Sequence, residues 1–208
     1  MTAKPVKFVA LAMLVALAAG CGEFTRQGQA PVVVVVERIE AAKGNAPGNL
    51  SGTLNSDVVV FRTTPAPCTA AVPCPTIFND VAEVEMRVRS KDPGVPGLAS
   101  NPSFLNEVTI NRYHVEYIRP DGRNTPGVDV PYGFDSALTF TIPNDGTATA
   151  GFEIVRHVAK EEAPLRALAF NGNLIYTIAY ITFYGRDQAG NDVSVTANIG
   201  INFGDFAD

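Results

Sequence analysis

The chain has 208 residues and carries 16 basic against 21 acidic side chains, a formal charge of −5. That acidic balance argues against a nucleic-acid binder or a polybasic membrane-surface protein, both of which depend on clustered Lys and Arg. The length suits one large β-domain or two small ones, and it suffices to bury a proper core.

Residues 1–20 read as a secretory signal rather than structure. Lys4 and Lys7 form the positive region, and an apolar run of twelve residues, Phe8 to Ala19, follows. This run is well short of the ~20 residues a membrane-spanning helix requires. It ends Leu17–Ala18–Ala19–Gly20–Cys21, which resembles a bacterial lipoprotein lipobox, with Ala18 in the place of the usual Leu. The resemblance implies that Cys21 is lipidated and becomes the mature N-terminus. At least two acyl chains would then hold the protein stably, where one would hold it only marginally. Gly22 in place of the Asp of retained lipoproteins implies outer-membrane sorting if the cell is Gram-negative.

Residues 21–30 read as the acylated cysteine and a flexible tether, polar and without a period. A single elaborated domain is expected over 31–208. Pro31 opens a first strand, Val32 to Ala42, expected to be buried at its five valines. Residues 44–52 are loop, Asp57 to Arg62 a short strand, and Thr63 to Thr76 an irregular loop with four prolines. In the strand Val81 to Ser90, Ala82, Val84, Met86 and Val88 alternate with Glu83, Glu85, Arg87 and Arg89, the period of a half-buried strand. Lys91 to Asn106 is a second Pro/Gly-rich loop. In the strand Glu107 to Ile118 the apolar parity switches between Ile110 and Tyr113, which predicts a bulge near Asn111. Pro120 to Ser136 is a third long loop. Ala137 to Ile142 and Thr147 to Val158 are expected to form a hairpin about Pro143–Asn144–Asp145–Gly146. Lys160 to Ala169 tolerates helix, limited by Pro164 to a turn or so.

Leu174 to Phe203 organises the rest. It reads as two long strands joined by a loop carrying Asp187, Gly190, Asn191 and Asp192, residue types suited to tight turns. In the second strand, Val193, Val195, Ala197, Ile199, Ile201 and Phe203 share one face. With Ala179 and the Asp187–Gly190–Asn191 loop, the hairpin resembles the closing hairpin of bacterial immunoglobulin-like and cadherin-like domains, lengthened by Tyr184–Gly185–Arg186. The strands and turn chemistry predict an all-β fold, an antiparallel sandwich of about 7–8 strands with long loops. The resemblance implies that the sandwich is immunoglobulin-like.

Cys68 and Cys74 remain as an even pair if Cys21 carries lipid, and in an oxidising compartment they predict a disulfide contributing about 2 kcal/mol. His114 and His157 are the only histidines and fall within strand patterns, with no nucleophile, zinc or phosphate-loop motif beside them. Catalysis is therefore not expected. Asp187, Asn191 and Asp192, with Asp129 or Asp135, offer oxygen ligands for Ca²⁺, although Asp and Asn in such a loop also serve to cap the turn. No other cofactor is indicated.

Tyr176, Tyr180 and Tyr184 share one face of the strand 174–184, and Ile175, Ala179, Ile181 and Phe183 the other. Both faces are apolar enough for core, so periodicity alone does not choose between them. The family resemblance turns Ile181 and Phe183 inward. The tyrosines then form a partner surface, stacking on sugars or anchoring a protein, unless a long loop covers them. The whole is expected to be a non-catalytic envelope lipoprotein, lipid-anchored outside the cytoplasm and acting as a binding or assembly module. The alternative is a carbohydrate-binding accessory module of an extracytoplasmic enzyme system.

Overall fold

The computed structural model describes residues 28–206 apart from Pro93 and Gly97, so the signal expected over residues 1–20 and the lipidation expected at Cys21 lie outside the described residues. The chain is mostly strand. The strands are β1 (Val32–Ala42), β2 (Thr53–Asp57), β3 (Val60–Arg62), β4 (Cys74–Thr76), β5 (Asp80–Ser90), β6 (Gly94–Val95) and β7 (Leu98–Ala99), followed by β8 (Val108–Ile118), β9 (Phe134–Ile142) and β10 (Thr147–Val155). A short helix α1 (His157–Glu161) and a 3₁₀ turn, Leu165–Leu168, lead into β11 (Ile175–Asp187) and β12 (Asp192–Gly204). Pro164 separates the two helical turns, as its missing N–H requires.

Three strands form one main sheet in the order β1-β5-β10, five form the other, β2-β12-β11-β8-β9, and β3-β4 and β6-β7 are separate two-stranded ribbons. The larger sheet curls into a half-barrel. Its pairs are antiparallel except β2 with β12, which run parallel. Both sheets contribute to one core. Tyr113 from β8 meets Phe152 from β10 edge-on with centroids 5.0 Å apart, and Phe152 meets Phe183 from β11 at 5.4 Å.

The two tyrosines in this core are satisfied across the gap. Tyr113 donates its hydroxyl to the Glu153 carbonyl at 2.9 Å, and Tyr117 donates to the Ile154 carbonyl at 2.6 Å. The β10–β5 register shifts between Glu153 and Val155, so Ile154 is the unpaired residue of a bulge. A carbonyl freed by a bulge needs a donor, and Tyr117 supplies it. Burial pushes the Tyr117 hydroxyl far above the usual phenolic range, which keeps it a donor.

Several predicted features are present as read. Ala82, Val84, Met86 and Val88 are buried, and Asn111 is skipped in both pairings of β8, the expected bulge. Ile181 and Phe183 are fully buried. Asp57 to Arg62 divides into the end of β2 and β3, residues 91–106 contain β6 and β7, β9 starts at Phe134 rather than Ala137, and the parallel β2–β12 pair departs from the all-antiparallel expectation. Four further expectations need correction. The valine run is not buried throughout: Val32 and Val34 face the core, while Val33 and Val35 are exposed, because the small antiparallel sheet turns one face to water. The 63–76 segment is not wholly irregular, since Cys74–Thr76 pairs with Val60–Arg62. Pro75 is tolerated there because an isolated two-stranded ribbon leaves one edge free of ladder bonds.

The third correction concerns the Asp145–Gly146 turn. It reverses the chain without closing a hairpin, because β9 pairs with β8 and β10 pairs with β5. Turn chemistry specifies a reversal; each flanking strand then pairs with the sheet edge that lacks a partner. Finally, the strand expected to run to Val158 stops at Val155, so His157 opens α1 instead. Its backbone N–H donates to Asn79 Oδ1 at 2.6 Å, and its ring Nδ1 lies 2.8 Å from the same atom.

Candidate binding face

The outer face of the larger sheet carries the tyrosine row. Alternation along β11 sends Ile175, Thr177, Ala179, Ile181 and Phe183 inward, which leaves Tyr176, Tyr180 and Tyr184 outward. Tyr176 is 56% exposed, and the other two are half-buried. The long 120–133 loop packs near the same sheet. It borders β8, where His114, Glu116, Asn124 and Pro126 line a cleft of about 300 Å³. Arg119 and Arg123 brace this loop by bonding the Asp121 carboxylate.

Register supplies the neighbours. Tyr176 lies opposite Asn202, Tyr180 opposite Asn198, and Tyr184 opposite Ser194. Opposite Gly200 stands Ile178, not a tyrosine, and Thr53 from β2 is what a side chain there would touch. The rings therefore do not shield Gly200. On the other flank β8 places Glu116 beside Tyr180 and Arg112 beside Tyr184.

Sequence reasoning weighed only the β12 flank and missed β8. The Arg112 guanidinium lies 4.0 Å from the Tyr184 ring centroid, a cation–π contact. Asp135 bridges Arg112 Nη1 at 3.5 Å and His114 Nδ1 at 3.2 Å. Thr182 and Thr196 share a hydrogen bond of 3.0 Å across β11 and β12. The result is a shallow surface of rings set among amides, hydroxyls and paired charges.

At the far end of the row, Tyr184, Arg112 and Asn111 open onto a groove of about 400 Å³ that also meets Lys91, Arg186 and Gly28. The bulge at Asn111 delivers Asn111 and Arg112 to this groove, and it was the one legible signal for them. Gly185 is required beside it, because a methyl group there would overlap the Thr109 carbonyl oxygen.

The hairpin loop uses its oxygens internally. Asp187 accepts the Asn191 backbone N–H and Nδ2–H, each at 2.8 Å, and Asp192 Oδ1 accepts Arg186 Nε–H at 2.7 Å. Asp129 accepts the Thr125 N–H at 3.2 Å. Among the described residues, no three His, Cys, Asp or Glu side chains group closely enough to hold a metal ion. Cys68 and Cys74 are disulfide-bonded with their Cα atoms 5.4 Å apart, which ties the 63–73 loop to β4. Among the described residues no helix is long and apolar enough to cross a membrane. Comparison with protein-family models and with curated proteins finds no match to this chain.

Proposed function

We propose that this protein is a lipid-anchored module of the cell envelope that binds a partner through the outer face of its larger sheet. The observation that carries this reading is the row Tyr176, Tyr180 and Tyr184, standing on a rigid strand with one ring well exposed. Amphipathic rings fixed on a scaffold offer contact area at small entropic cost. The fold reading beneath it is an immunoglobulin-like sandwich, supported by strand order. β1, β5 and β10 follow the A-B-E order, β9-β8-β11-β12 follows the C′-C-F-G order, and β2 continues the first strand beside the last.

The anchor reading rests on residues 17–21 and on the Cys68–Cys74 disulfide, which suits an oxidising compartment. Replacing Cys21 by Ser releases the protein from the membrane pellet into the soluble fraction on this reading; a variant that still pellets after a salt wash refutes it.

A second reading, a carbohydrate-binding accessory module, is favoured by one specific observation. The rings are interleaved with Asn198, Asn202, Glu116, Thr182 and Thr196, groups able to bond sugar hydroxyls while a ring stacks on the sugar face. Affinity electrophoresis through soluble polysaccharides, beside photo-crosslinking from position 180 in envelope membranes, separates the two readings. Glycan retardation lost in Tyr176→Ala/Tyr180→Ala supports the second; a captured protein supports the first. If the double variant keeps all binding, this face is not the site.

A further inference from the structure

Where β2 ends, β5 begins and α1 packs, charged side chains meet in the interior. Lys160 Nζ lies 2.9 Å from Asp80 Oδ2, and both side chains are 1% exposed. The Asp80 carboxylate is held from two further sides. Ser56 donates its hydroxyl to Oδ2 at 2.6 Å, and the Gly44 N–H donates to Oδ1 at 3.0 Å. Asp57 is buried beside them, reached by Lys43 Nζ at 3.4 Å and by the Phe206 N–H at 3.2 Å. Burial pulls the Lys160 ammonium below the ordinary lysine range, opposed by the charges of Asp80 and Asp57. Lysine is among the residues least often sealed in a core, and an ion pair sealed there bears the desolvation of both charges.

We propose that Lys160 and Asp80 condense into an intramolecular isopeptide bond that covalently joins α1 to the start of β5. The reaction needs an uncharged amine, a protonated carboxyl and contact between them. Burial favours the uncharged amine at Lys160, and the 2.9 Å contact gives a direct path for the Nζ proton to pass to Oδ2. Lys160 Nζ lies 2.9 Å from Oδ2 and so stands beside the carboxyl carbon it would attack, which turns a bimolecular encounter into a step within one molecule.

The Nζ lone pair attacks Cγ, and the N–Cγ bond forms as the Cγ–Oδ1 electrons move onto Oδ1. The Gly44 N–H stabilises that developing oxyanion. A second Nζ proton passes to Oδ2, which Nζ already contacts and to which Ser56 donates. The Cγ–Oδ2 bond then breaks and Oδ2 leaves as water. Ammonium plus carboxylate become amide plus one water, with no oxidant and no co-reactant. The product carries no charge, so the desolvation cost that motivated the step disappears. The link closes a loop from residue 80 to residue 160 that contains β5, β8, β9 and β10. Val155 is the register partner of Asp80, so the bond locks the end of β10 against the start of β5 within the smaller sheet and resists proteolysis of the opened chain.

The test is a tryptic digest of the full-length wild-type protein after reduction and alkylation, read by tandem mass spectrometry. The expected species is residues 63–87 joined to residues 157–166, uncleaved after Lys160 and lighter than the sum of the two by one water. It should account for most of the protein. Free 63–87 together with free 157–160 as the main products overturns the proposal. Lys160→Arg keeps the positive charge, and its digest should lack the linked species; the same linkage persisting in that variant also overturns it.

Discussion

The tyrosine face and the Lys160–Asp80 cluster use similar side chains in opposite surroundings. On the open face Arg112, Asp135 and His114 meet in water, where an exposed ion pair contributes about 0–1 kcal/mol. In the sealed cluster Lys160 and Asp80 have lost their water and hold to one another, as an ion pair before the proposed condensation and as an amide after it. What the comparison teaches is a division of labour. Groups that cost little to rearrange are presented to the outside, and groups that cannot be disturbed hold β2, β5 and α1 together.

The largest expected effect lies in the sealed cluster. Asp80→Ala removes the partner of Lys160, Ser56 and the Gly44 N–H together, and the proposed link with it, and should cost at least about 3–5 kcal/mol in a denaturant melt, the range for breaking a buried pair alone. A loss near 1 kcal/mol would mean that water reaches the cluster and that the contrast is false.

The two faces of β11 give the next test. Phe183→Ala opens a cavity among Tyr113, Phe152 and Phe183 and should cost about 3–5 kcal/mol. Tyr180→Ala should cost about 1 kcal/mol or less, because its ring faces outward. A larger loss at Tyr180 than at Phe183 would invert the sheet.

Converting both Cys68 and Cys74 to Ala should lower stability by about 2 kcal/mol, with the greatest rise in hydrogen exchange confined to β3, β4 and the loop between them. A global rise would show that this small clip controls the whole core. On the open face, Arg112→Ala should cost only about 0.5–1 kcal/mol, the scale of an exposed cation–π contact.

The smallest effect concerns acid. Hydrogen bonds from the Arg119 side chain and the Arg123 backbone hold the Asp121 carboxyl well below the usual carboxylate range. A depressed folded-state pKa stabilises at neutral pH, and that contribution fades as the pH falls through the folded-state value. Only the 120–133 loop should loosen, which the carboxyl carbon shift of Asp121 and proteolysis of the loop would report. Titration of Asp121 in the ordinary range would remove the brace.

Much of the scaffold was legible because strand periodicity is local. Val84, Met86 and Val88 alternate with charges, so their inward face follows from the pleat alone. The parity switch about Asn111 likewise announced its bulge. The orientation of β11 was not local, since Tyr180 and Phe183 are both apolar enough for core. The opposing sheet decided it by placing Phe152 against Phe183.

Partner choice also lay outside the reach of the sequence. The Asp145–Gly146 turn specified a reversal, yet long-range pairing sent β9 to one sheet and β10 to the other. Sequence alone determined the alternation, the turns, the even cysteine pair and the tyrosine row, each carried by neighbours a few residues apart. Only the tertiary structure brought Arg112 onto Tyr184, and Lys160 onto Asp80 across eighty positions of chain. A side chain's spacing along the chain states its face, whereas the identity of what it meets depends on which distant strand packs there.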